Sequence, residues 1–190
     1  INHTAPETRS IASLRENIKM HVLLIKMSSM GDLVHTLPAL TDAKNAIPAI
    51  EIDWVVEPAF VDIPAMHSAV KKIIPINLRY WRKNIFKKST YAEIKKFYQT
   101  LREKKYDLII DAQGLLKSAI TAKCAHGTIH GFDKYSARES LCTYFYDKKY
   151  PIDQNQHVIT RTRALFSKIL SYAFSGDADY GINSQILPAL

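Results

Sequence analysis

Residues 21–36, HVLLIKMSSMGDLVHT, constrain the fold more than any other stretch of the chain. The run HVLLI has the length and the β-branched, apolar content of a strand buried on both faces. After it, Ser28-Ser29-Met30-Gly31-Asp32 carries turn and helix-capping chemistry, and the chain then passes into an apolar pattern at helical spacing. A buried strand, a small-residue loop and a helix form the repeating unit of a parallel sheet. Ligands of such sheets sit outside the carboxyl ends of the strands, which puts Lys26, Ser28, Ser29 and Asp32 at the likeliest binding crevice.

The rest of the chain repeats that plan. Residues 32–47 read as helix, kinked or restarted at Pro38 and ended by Pro48, because proline lacks the amide donor and clashes inside a helix. Residues 51–56 read as a strand, 58–67 as a short helix, and 72–76 as a strand whose Pro75 suits a sheet edge or a strand end. Residues 78–88 alternate basic and aromatic without a period and read as a surface loop. A helix capped by Ser89 then runs to about residue 105, with Ile94, Phe97, Tyr98 and Leu101 as its apolar face. Strand 107–111, helix 115–125, strand 128–132, helix 137–146 and helix 154–174 complete the alternation. Strands alternating with helices predict right-handed crossovers and an α/β fold with a doubly wound parallel sheet.

With 190 residues, 47% of them hydrophobic, the chain can bury the core of one domain. Its net charge of +8 points to anionic partners without choosing among nucleic acid, a membrane surface and a phosphorylated substrate. Cys124 and Cys142 are too few for a disulfide framework or a zinc site and fit a reducing compartment as buried residues. No run approaches the roughly 18 apolar residues of a membrane span, and the first residues lack a signal-peptide core, so a cytoplasmic protein with at most peripheral membrane contact is expected. Residues 1–19 are polar and look appended, with Met20 a natural starting point.

Lys26 ends an apolar strand where a cation needs a partner or a crevice. Ser28, Ser29 and Gly31 match neither a dinucleotide fingerprint nor a P-loop, but small residues let backbone amides approach an anion or a sugar oxygen. Asp32 is a good N-cap; its sharper reading is a carboxylate that accepts a proton from a substrate hydroxyl. Asp111, Gln113 and Gly114 form a second strand-end cluster, with Lys117 and Ser118 one turn later. His35, His126 and His130 lack metal-ligand spacing, so no metal is expected. Arg79, Arg82, Lys83, Lys87 and Lys88, interleaved with Tyr80 and Trp81, make either a solvated loop or an anion-binding surface. No RNP pattern, zinc-finger spacing or helix-turn-helix accompanies them, which argues against nucleic acid.

Taken together, IKMSSMGDLVHTLPALTDAKNAIP, IDWVVEPAF, LRYWRK, YDLIIDAQGLLKSA and HGFDKYSARES resemble the N-terminal half of the lipopolysaccharide heptosyltransferase I family, within glycosyltransferase family 9. The resemblance implies a Rossmann-like N-terminal domain of a GT-B enzyme over residues 20–175, with 176–190 starting a linker to a donor-binding domain. It implies inverting transfer of a heptose from ADP-heptose to the Kdo of Kdo2-lipid A, with no cofactor beyond that donor. Asp32 matches the general base of this family; Arg79, Arg82, Lys83 and Arg138 match acceptor contacts, with Tyr80 where a further arginine is common. Lys26, Ser28, Ser29, Gly31 and Gln113 match crevice residues. A monomer at the cytoplasmic face of the anionic inner membrane is expected, without transferase activity from these residues alone. The alternatives are a non-catalytic anion-binding module of the same fold and a nucleic-acid-binding protein.

Overall fold

The computed structural model describes residues 19–182. The reading of residues 1–19 as an appended segment therefore lies outside the described residues, except for Lys19, as does most of the linker assigned to 176–190. Six strands form one parallel sheet: β1 (Met20–Ile25), β2 (Ile50–Val56), β3 (Val70–Pro75), β4 (Lys105–Asp111), β5 (His126–Phe132) and β6 (Lys148–Tyr150), in the order β3-β2-β1-β4-β5-β6. This is the doubly wound, Rossmann-like arrangement. The strand order reverses between β1 and β4, so the loops that follow these two strands part there and leave a crevice.

The sequence explains why β1 is central. Val22, Leu23, Leu24 and Ile25 are all fully buried, as a strand covered on both faces requires. β3 is an edge strand and ends at Pro75, where the missing amide interrupts no ladder on the outer side. The first helix is split as Pro38 demands: α1 spans Met30–Val34, and α2 spans Leu37–Ala46 with Pro38 in its first turn. A 3₁₀ turn (Pro58–Phe60) and α3 (Asp62–Ala65) follow β2.

Several readings are corrected by the structure. Residues 78–83 are helix, not loop: α4 (Leu78–Lys83) buries Trp81, whose Nε1 donates to a Glu93 carboxylate oxygen at 2.8 Å. One large aromatic held by a polar partner ordered a segment in which no periodicity could be read. The next helix, α5 (Lys88–Arg102), is capped at Lys87 rather than Ser89. Its apolar face is only half covered, since Leu101 is buried while Ile94 and Tyr98 remain 39% and 40% exposed. Of residues 137–146 only Ser140–Phe145 are helical, as a 3₁₀ helix, and the short strand β6 was missed.

α6 spans Leu116–Lys123, and the last helix, α7, spans Val158–Leu170, shorter than read because Ser171 turns into the left-handed region at φ 57°. α6 packs on β4, β1 and β5; α7 packs on α2. Crossovers running in opposite directions from β1 put these two groups of helices on opposite faces of the sheet. Beyond α7 the chain folds back. The buried Arg163 makes two bonds to the Asp42 carboxylate, at 2.7 and 3.1 Å, and donates to the carbonyls of Gly176 and Ser175. Ile182 forms an antiparallel bridge with His67, so the described part of the 176–190 stretch lies against the domain.

Candidate functional site

Helix α1 starts at Met30, two residues earlier than its sequence suggests, which changes the role of Asp32. Ser29 is the N-cap, and Asp32 sits in the first turn, where its carboxylate accepts the Ser29 backbone N–H at 3.3 Å. The N-cap assignment for Asp32 is therefore corrected. One carboxylate oxygen supports the loop, and the side chain remains at the surface of the crevice, 15% exposed.

The second strand-end cluster builds the floor. Asp111 is fully buried and accepts four hydrogen bonds: from Gln113 N at 2.9 Å, Gly114 N at 3.2 Å, Ser118 Oγ at 2.8 Å and Tyr146 Oη at 2.8 Å. Burial pushes its carboxyl above the usual aspartate range, and the hydrogen bonds pull it back part of the way. Held by Asp111, Gln113 clamps the loop after β1. Its Oε1 accepts Met27 N at 2.6 Å and Ser28 N at 3.4 Å, and its Nε2 donates to Ser28 O at 2.7 Å. Gln113 is thus a crevice residue whose amide is committed to backbone. Buried Ser28 contributes its main chain to that clamp, exposed Ser29 caps α1, and Gly31 is open at the surface.

Gly114 has φ +68°, and a Cβ there would lie 3.3 Å from the backbone nitrogen of Arg138. Its absence lets the segment after β5 cross close over the loop after β4. Glu139 fixes that crossing by accepting Leu116 N at 2.6 Å and donating its own N–H to Gly114 O at 3.0 Å. Arg138 is thereby aimed at Asp32, with Nη1 3.5 Å from Oδ2. Beneath them Lys26 is 4% exposed and donates to Ala112 O at 3.1 Å. Burial pushes its ammonium below the usual lysine range, an effect that Asp32 and Asp111 oppose and Arg138 reinforces.

These groups share a cavity of about 310 Å³ lined by Lys26, Asp32, Gln113, Ser136, Arg138 and Arg161, among others. Asp32 is its one carboxylate, facing three cations. Sequence reasoning missed Arg161 and Ser136. Arg161 lay inside a segment read only for its apolar face, yet its Nη2 donates to Ser136 O at 2.8 Å. Its buried Nε has no hydrogen-bond partner among the described residues. A carboxylate that can take a proton, set against cations that can hold an anionic group, suits a hydroxyl-bearing acidic ligand.

Arg79, Arg82 and Lys83 lie apart from this cavity, on α4. All three are exposed, and Arg79 Nε is 3.3 Å from the Glu57 carboxylate. Among the described residues, no group of three or more His, Cys, Asp or Glu side chains is placed to hold a metal ion.

The model of glycosyltransferase family 9 (heptosyltransferase) matches residues 94–185. Lipopolysaccharide heptosyltransferase 1 of Escherichia coli is 50% identical over 173 residues, covering 90% of this chain and 53% of that protein. The Pseudomonas aeruginosa protein of the same name is 49% identical over 170 residues, covering 88% and 48%. The solved structure of E. coli heptosyltransferase WaaC with ADP superposes with a TM-score of 0.83 at 51% identity, covering 85% of this chain and 51% of that one. The chain thus spans about half the length of the relatives it matches. In sequence and in superposition alike, the chain is similar to about half the length of the heptosyltransferases of glycosyltransferase family 9.

Proposed function

We propose that this chain is the acceptor-binding half of an inverting GT-B heptosyltransferase, which transfers a heptose from ADP-heptose to a Kdo sugar of Kdo2-lipid A. The observation that carries this reading is the cavity in which Asp32 faces Lys26, Arg138 and Arg161. A Kdo sugar presents both a hydroxyl and a carboxylate. Asp32 takes the hydroxyl proton as that oxygen bonds to the anomeric carbon from the face opposite the departing ADP, which leaves with the electron pair and inverts the centre. The cations hold the acid group and keep the hydroxyl in line. Lys26 acts at short range from a buried position, where its ammonium is shielded from bulk water, and Arg138 from the more exposed rim.

On this reading the donor site lies in the half of the relatives that this chain does not span. The 190-residue polypeptide by itself is therefore expected to bind ADP and ADP-heptose only weakly and to show no turnover, because in-line displacement needs both partners held within a few ångströms. Calorimetry with ADP and a transfer assay on the purified chain test this; micromolar ADP binding or multiple turnovers would place the donor site in this half and overturn the assignment.

The exposed cations of α4 supply the membrane-facing part of the proposal, in which a monomer works at the cytoplasmic face of the anionic inner membrane. Among the described residues no helix is long and apolar enough to cross a membrane. A basic side chain near an anionic bilayer contributes about 1 kcal/mol. Neutralising Arg79, Arg82 and Lys83 together, in a protein carrying both halves, should raise the acceptor KM and weaken binding to anionic vesicles at low salt. Unchanged values for both would reduce these residues to a solvated surface.

A further inference from the structure

A second, mainly apolar groove is separate from the Asp32 cavity. This groove, of about 680 Å³, runs between α5 and α6 under α4, and Trp81, Ile94, Phe97, Tyr98, Ile120 and Cys124 line its walls. Its mouth is charged, with Arg79, Arg82 and Lys117 on the rim and Glu57 beside Arg79. It shares no lining residue with the Asp32 cavity. Along α6, from Lys117 to Cys124, the groove extends about 10 Å at the rise of an α-helix.

We infer that this groove takes one acyl chain of an anionic bilayer phospholipid, with the lipid phosphate on Arg79, Arg82 and Lys117. Two features select this occupant. An apolar slot rimmed by cations complements an amphiphile whose apolar tail carries a negative head, and each methylene it buries contributes to binding. The surface beside the mouth also suits a bilayer: Ile85 is 53% and Phe86 97% exposed, and Lys83, Lys87 and Lys88 flank them. Large apolar side chains held out among lysines gain by entering the headgroup region, where the flanking cations meet anionic lipid. A second protein surface would leave those lysines facing each other or needing acidic partners. The lipid site shares Arg79 and Arg82 with the acceptor and membrane contacts of the proposed function, while its apolar walls are separate from the Asp32 cavity.

The chain carries its own reporters. Trp81 lines the groove, and the other tryptophan, Trp54, is fully buried in the sheet with its Nε1 donating to Lys26 O. Cys124 lines the groove half-buried, while Cys142 is fully buried elsewhere. The full chain would be titrated with myristoyl-lysophosphatidylglycerol below its critical micelle concentration, with the phosphocholine counterpart, and with glycerophosphoglycerol, which has no acyl chain. The expected result is saturable one-to-one binding of the first, with a shift in Trp81 emission and slower alkylation of Cys124. The phosphocholine lipid should bind several-fold more weakly and glycerophosphoglycerol not measurably. Ile120→Asp, at a position 49% exposed and so compatible with folding, should weaken binding by about tenfold or more, because the tail would meet a charge.

Three results would overturn the inference. One is no Trp81 response, or the same response in Ile120→Asp. Another is equal binding of glycerophosphoglycerol or of the phosphocholine lipid. The third is Cys124 protection without lipid that is lost on dilution, which would make the groove an interface between two copies. Retained heptose transfer in a two-half protein carrying Ile120→Asp would leave the proposed function intact whichever way the lipid titration falls.

Discussion

Replacing Asp32 by Asn, in a protein carrying both halves, is expected to slow heptose transfer by about 10²- to 10⁴-fold while the fold persists. The amide occupies the same volume and keeps an oxygen that can accept the Ser29 N–H, which the carboxylate now accepts at 3.3 Å. The loop and the start of α1 are therefore supported in the variant. What disappears is the capacity to take a proton, together with the attraction between Asp32 and Arg138, whose Nη1 lies 3.5 Å away. Asp32→Ala removes the loop support as well and is the poorer probe. The measurement is turnover at saturating acceptor, with thermal denaturation as the control for folding. A variant that folds and keeps near-normal turnover would remove Asp32 from the mechanism. A rise in KM at unchanged kcat would make it a binding residue instead, since a base acts on the chemical step.

Asp111→Ala is expected to destabilise the fold by roughly 3–5 kcal/mol, because buried donors left without an acceptor each cost about 1–3 kcal/mol. Four donors lose their partner, but the loss is less than four such penalties. Ser118 Oγ also reaches Leu115 O at 2.7 Å, and Tyr146 Oη lies 3.1 Å from Cys142 Sγ. The Gln113 and Gly114 amides lose their only Asp111 bonds, at 2.9 and 3.2 Å. Tyr146 is also tightly held from its other side, since a Cβ on Gly131 would lie 2.5 Å from its ring. The ring therefore has little room to move into the space vacated by Asp111.

The same residue predicts a pH dependence whose sign is fixed by burial. The Asp111 carboxyl is raised above the usual aspartate range in the folded protein, so the fold holds that proton to higher pH than the unfolded chain does. Its contribution is full below the unfolded value and is lost as pH rises through the folded one. Denaturant midpoints of the parent should therefore fall across that window, and the step should be missing from Asp111→Ala. Loss of the Gln113 clamp should also loosen the loop after β1, which carries Ser29 and leads to Asp32. In a protein carrying both halves, kcat should then fall even where the variant remains folded. A stability change below about 1 kcal/mol, the level of an ordinary exposed hydrogen bond, would show that water replaces the lost acceptor.

The residues themselves determined the architecture. β1 was legible because a run of apolar, β-branched residues followed by small capping residues has few other uses, and Pro38, Pro48 and Pro75 marked breaks by the simple absence of an amide donor. Lys26 was legible for a related reason: a charge at the end of a buried strand needs a partner or a crevice, and Lys26 lines the cavity that also holds Asp32. Tertiary structure alone decided the rest. Gln113 could be placed at the crevice from its position after β4, but its bonds to Met27 and Ser28 join residues 85 and 86 positions apart in the chain. Arg138 meets Asp32 across 106 positions, through the close passage at Gly114. Arg161 was hidden because helical periodicity reports which residues face the core and is silent on which polar residue reaches into a neighbouring loop. The segment around Trp81 was misread for the converse reason. Its order comes from one indole bonded to Glu93 on the next helix, a pairing that exists only once α4 and α5 are packed together.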